Sequence, residues 1–242
     1  MTRMLALMVF SVLGCATESP ERFSVDSVTA EQRIAELREM PVKLERPVVI
    51  LDGFLDPGVG SLAYRKEIRE ITGDDRVLRV AFFTAGSLAE CRDKALAAIE
   101  EAFPGEPVDI IGISMGGAVA FFVADTDDVE VERIFTLSSP LRGASLANLP
   151  TWMTLQKEMR PGSDAMNLLA EMIERFDGQR VHYAGVSDKT VKQEEAAPAG
   201  ESAYVLPNDG PARFGHTGVI RDPRVRLDIF LRLRDAEPIT KE

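Results

Sequence analysis

Residues 109–122 read DIIGISMGGAVAFF, an apolar run that meets a glycine-flanked serine and then continues in small and aromatic apolar residues. The first half, from residue 107 to 113, is short, rich in valine and isoleucine and without alternation, the pattern of a strand buried on both faces. The second half, residues 116–124, reads as a small-residue helix that begins with no intervening loop. Ser114 therefore falls at a tight strand-to-helix turn. Side chains larger than glycine would collide there, and the first N–H groups of the helix would face outward. A serine between glycines also occurs in ordinary turns, so the rest of the chain must decide its role.

Outward from this stretch, short apolar runs alternate with helical patterns. Residues 47–53 (PVVILDG), 76–83, 132–137, 180–186 and 202–206 read as further strands, making six. Helices are expected near residues 61–71, after Ser87 with Glu90 as its capping-box partner, and around Leu168, Leu169, Met172, Ile173 and Phe176. A closing helix spans residues 225–233. Thr29 followed by Gln32 resembles a capping box for a short helix presenting Ile34, Leu37 and Met40. Such alternation folds into an α/β domain of about six mostly parallel strands with helices on both faces. Three segments are expected: a leader over 1–15, a tether and lead-in helix over 16–46, and the main domain over 47–242.

Composition narrows the function classes. With 45% hydrophobic and 28% charged residues, neither a disordered chain nor a multi-span membrane protein is indicated. A formal charge of -11 disfavours a nucleic-acid partner, because phosphate binding needs a basic face. Two histidines and two cysteines give no metal-ligand spacing. Residues 112–117 lack both the lysine of a P-loop and the glycine pattern of a dinucleotide turn, so no cofactor is expected. Oligomeric state is not encoded in any of these features.

The first sixteen residues, MTRMLALMVFSVLGCA, have the anatomy of an export signal. Its ten-residue apolar run would cover roughly 15 Å as a helix, half of the hydrocarbon core, and is too short to span. Val12-Leu13-Gly14-Cys15 resembles the lipobox of bacterial lipoproteins. That resemblance implies acylation of Cys15, export to the cell envelope and retention on a membrane surface, with Ala16 similar to an outer-membrane sorting position. Cys91 would then have no intramolecular partner.

A serine hydroxyl needs a histidine base and an acid that orients it. His182 sits inside an apolar strand and reads as a packed residue, whereas His216 lies in the glycine-flanked stretch ARFGHTGVI. Gly112-Ile113-Ser114-Met115-Gly116 in its strand-to-helix context resembles the nucleophile elbow of the α/β-hydrolase fold, especially small bacterial lipases and esterases. The segments TLSSPLRGASLA (136–147) and KEMRPGSDAMNLL (157–169) are also similar to family segments, and the match runs in order over residues 47–234.

This resemblance implies a Ser114, Asp188, His216 triad, with Asp209 the alternative acid. It also implies an oxyanion hole from the N–H groups of Met115 and Phe54, Leu55 being the other candidate for the second donor. Two positions depart from the family pattern: Asp52 and Ile113 stand where histidines are usual. A carboxylate at 52 would oppose a nearby oxyanion unless turned away or neutralised. The implied function is hydrolysis of a small-molecule or lipid carboxylic ester through an acyl-enzyme, with a minimal cap over residues 141–161 whose Leu146, Leu149, Trp152, Met153, Leu155 and Met159 could line an acyl pocket. Alternatives are an acyl-thioesterase, a lipid-anchor deacylase related to inositol-deacylase-like lipases, and a catalytically silent surface lipoprotein using the scaffold for binding.

Overall fold

The computed structural model describes residues 23–56 and 58–240. The strands are β1 (Val48–Leu51), β2 (Val77–Val80), β3 (Val108–Ile113), β4 (Val131–Leu137), β5 (Gln179–Gly185) and β6 (Tyr204–Leu206). They form one sheet in the order β2-β1-β3-β4-β5-β6, and every neighbouring pair is parallel. All six carboxyl ends therefore open on one edge. The connections are α1 (Ser27–Glu39), α2 (Val59–Thr72), α3 (Leu88–Ala102), α4 (Met115–Ala124), α5 (Thr154–Glu158), α6 (Asp164–Arg175), α7 (His216–Arg221) and α8 (Pro223–Leu233).

Alternate strand residues feed two cores, as the period of two requires. Val49, Leu51, Ile110 and Ile134 pack with α3, α4, α5 and α6 on one face. Val48, Ile50, Ile111, Ile113, Phe135 and Tyr183 pack with α1, α2, α7 and α8 on the other. Helix α4 is buried from Met115 to Val123, which explains its lack of any polar stripe. α8 is buried at every position but Arg226, since α1 brings Ala30 and Ile34 into the same core. The lead-in helix is thus built into the domain from Ser27 onward.

Local differences from the sequence reading have simple causes. α1 is capped by Asp26, whose carboxylate accepts from Thr29 N at 2.7 Å, so Thr29 is a donor inside the helix and Met40 is left exposed. Ser87 does cap α3, but the Glu90 carboxylate bonds Gly86 N at 2.7 Å. The runs 47–53 and 76–83 outlast their strands at the carboxyl end, because the chain leaves the sheet there to build connections. Cys91 is a free thiol on the buried face of α3, and burial pushes its pKa up to about 12. Cys15 lies outside the described residues. Among those described, no helix is long and apolar enough to cross a membrane.

Candidate active site

Ser114 stands between β3 and α4 with φ 52° and ψ -123°, a conformation disfavoured for any residue with a Cβ. Strain is retained because the surroundings fix it: Ser114 N donates to Leu137 O at 2.9 Å, and Gly117 N donates to Ser114 O at 3.0 Å. The elbow glycines are required by close approach. A Cβ on Gly112 would lie 2.3 Å from the Gly117 Cα, and one on Gly116 would lie 2.1 Å from the Leu51 carbonyl oxygen. α4 thereby sits directly on the ends of β1 and β3. Its first N–H, that of Met115, has no intrahelical acceptor and lies beside Ser114 at the positive end of the helix dipole.

The candidate acid and base lie on the connections after β5 and β6. Asp188 follows β5 by three residues, and its side chain is fully buried. Its Oδ2 accepts from His216 Nδ1 at 2.7 Å, while Oδ1 accepts from Thr190 N at 2.8 Å and Val191 N at 3.1 Å. Burial alone would raise this carboxyl's pKa, but the hydrogen bond and charge of His216, the Val191 N–H and the neighbouring Ser138 hold it below the ordinary value. His216 is the first residue of α7, not part of an open loop: a short 3-10 helix (Gly210–Phe214) and Gly215 at φ 67° bring it in. Since its Nδ1 donates to Asp188, its Nε2 is left as an acceptor.

Among the described residues Ser114 Oγ has no hydrogen-bond partner, so the structure joins Asp188 to His216 and brings Ser114 to the same sheet edge without a bond to the ring. Asp209 is elsewhere: its carboxylate is exposed and accepts from Arg224 at 2.7 Å, with no bond to His216. His182 is a packed strand residue, with Nδ1 2.8 Å from Thr136 Oγ1 and a pKa lowered by burial. Its Nε2 lies 3.5 Å from Glu201, longer than a formed hydrogen bond.

The connection after β1 reaches the serine. A Cβ on Gly53 would come within 3.2 Å of Ser114 Cβ, so the turn after β1 lies against Ser114. The next residue, Leu55, has φ 52°. Asp52 is fully buried, and burial raises its pKa although Ser61 and Arg79 oppose the rise. One of its oxygens, Oδ2, is paired with Arg79 Nη2. This pairing was invisible in the sequence, where Arg79 reads as one polar residue within an apolar run.

Ser138, φ 48° at the end of β4, was also missed. Its buried hydroxyl lies beside Asp188, and the only signal for it was the serine pair in TLSSP. The residues expected to form an acyl-lining cap divide. Leu155 and Met159 belong to the core, while Leu146, Leu149 and Trp152 are exposed, Trp152 to 89%. No group of three or more metal-ligating side chains occurs among the described residues.

Residues 86–187, less than half of the chain, match a family model described as a PGAP1-like alpha/beta domain. No match is found among curated proteins. Among solved structures, the mature lipase BlEst2 from Bacillus licheniformis is similar with TM-score 0.58 and 16% identity, over 81% of this chain and 94% of that one. Est1E from Butyrivibrio proteoclasticus is similar with TM-score 0.55 and 15% identity, over 81% and 90%. The chain spans 38% of phospholipase PlaB from Legionella pneumophila, with 58% of its own length matched, 12% identity and TM-score 0.47. The chain has an α/β-hydrolase fold, resembling that of lipases and esterases.

Proposed function

We propose that this protein is a serine hydrolase that cleaves carboxylic esters through an acyl-enzyme on Ser114. The observation that carries the reading is the strained Ser114, set at the edge where Asp188 holds His216 by a 2.7 Å hydrogen bond. His216 Nε2 takes the hydroxyl proton as Ser114 Oγ attacks the ester carbonyl, and Asp188 stabilises the imidazolium without accepting the proton. The N–H groups of Met115 and Phe54 hold the tetrahedral oxyanion. Collapse expels the alcohol, which receives the proton from His216. Water, deprotonated by the same nitrogen, then attacks the acyl-Ser114 carbonyl and releases the acid and the free serine.

Apolar esters are favoured as substrates. Leu55, Phe83, Leu149, Trp152, Val186 and Phe214 are all exposed on connections leaving the carboxyl ends of strands, and an exposed set of large apolar residues fits an apolar ligand. Acylation of Cys15 would hold the domain on an envelope membrane, near such substrates. A panel of p-nitrophenyl esters tests the reading. Turnover that rises from acetyl toward longer acyl chains is expected, and acetyl-only turnover would defeat the apolar-substrate reading. Cys15→Ser should move the protein from the membrane to the soluble fraction, and unchanged partitioning would defeat the anchor.

A further inference from the structure

Arg79 stands in β2 opposite Ile50 of β1, on the face covered by α2. Its guanidinium makes two bonds to separate elements: Nη2 to Asp52 Oδ2 just past β1, and Nε to Ser61 Oγ in the first turn of α2 at 2.7 Å. Ser61 Oγ in turn donates to Gly58 O at 3.2 Å. Gly58, at φ 84°, presses on the same guanidinium, since a Cβ there would come within 1.9 Å of Nη2. Asp52 and Ser61 are both fully buried. A surface pair would contribute little, but this one lies under the turn whose Gly53 touches Ser114.

We infer that Arg79 is a positioning residue for the oxyanion-binding end of β1, neutralising Asp52 and tying it to Ser61 so that Phe54 N–H meets developing negative charge without a bare carboxylate two residues away. This rests on the serine-hydrolase reading. Asp52 retains one buried oxygen, Oδ1, with no hydrogen-bond partner. Neutralisation of that carboxylate therefore depends on Arg79 rather than on backbone donors. The same pair accounts for how a chain with aspartate at the family's histidine position keeps a donor loop in place.

Arg79→Met tests it through kcat, KM and the second-order rate of fluorophosphonate labelling. Its kcat should fall about 100-fold with KM nearly unchanged, the scale of losing one oxyanion donor. Asp52→Asn combined with Arg79→Met should return kcat to within about tenfold of the parent, because the uncompensated charge is gone. A merely structural clamp gives no such rescue. An R79M protein that turns over and labels at the parent rate, or a double variant as slow as R79M, overturns the inference while the hydrolase reading stands. An unlabelled parent overturns both. Should R79M not fold, Arg79→Lys carries the test, since it keeps the charge and loses the second donor. A kcat within about tenfold of the parent supports the inference, and a loss beyond about 100-fold overturns it.

Discussion

Asp109, at the amino end of the sheet, and Asp52, at its carboxyl edge, are both buried aspartates paired with an arginine of the neighbouring strand, and their surroundings differ. Asp109 is saturated. Arg133 binds it in bidentate fashion at 2.9 and 2.6 Å, and Arg46 adds a third bond at 3.3 Å. Asp52 has one pairing arginine and one bare buried oxygen. Backbone strain follows the same division: Leu55, Ser114 and Ser138, three of the four non-glycine residues at positive φ among those described, follow or end strands at the carboxyl edge. The amino end is satisfied even where the register shifts between Val108 and Asp109, while the carboxyl edge holds strain and incomplete pairing where the chemistry is proposed. A fold can keep such an edge because the opposite one is well bonded.

Variants separate the two ends. Ser114→Ala and Asp188→Asn should each lower kcat by about 10⁴-fold with little change in melting temperature, and His216→Ala should be of the same order. Activity retained in Asp188→Asn but lost in Asp209→Asn would reassign the acid. Asp109→Asn should do the opposite. Arg133 then keeps only the Arg232 carbonyl and the exposed Asp235 carboxylate as partners, and losing its buried counter-charge costs about 3 kcal/mol of stability in a denaturant titration, with kcat preserved in the folded protein. His182→Ala should cost about 1–3 kcal/mol, as Thr136 loses its partner, and leave kcat within a few-fold.

The smallest effect is a pH effect at Glu201. The His182 ring, 3.5 Å away and short of a formed hydrogen bond, and the Arg180 guanidinium, which bonds both of its oxygens, hold its pKa at about 2 against an ordinary 4.5. A depressed carboxylate stabilises the fold above its unfolded value and loses that contribution as pH falls through its folded value. The stability difference between the parent and Glu201→Gln should thus be about 1 kcal/mol at neutral pH, given partial exposure, and vanish between pH 4.5 and 2. A difference that persists at pH 2 would contradict the assignment.

The sequence carried the parts that depend on local pattern. Alternating apolar runs marked all six strands, and G-x-S-x-G fixed where a strand passes straight into a helix. Its reading of two histidines rested on context: His182 within β5 and His216 after β6. What stayed hidden depends on contacts between distant residues. Arg79 meets Asp52 across 27 positions, and His182 meets Thr136 across 46. The cap of α1 was misplaced because Asp26 and Thr29 are both good capping residues, and only the backbone geometry chooses between them. The acyl-lining set divided because apolar character does not distinguish Leu155, folded into the core, from Trp152, left exposed.

The central claim is that Ser114 is the nucleophile. Purified protein treated with a fluorophosphonate probe and mapped by peptide mass spectrometry tests it most directly. One equivalent of label is expected on the peptide containing Ser114, abolished in Ser114→Ala and strongly slowed in His216→Ala but not in His182→Ala. No label, or label on another residue that persists in Ser114→Ala, would contradict it.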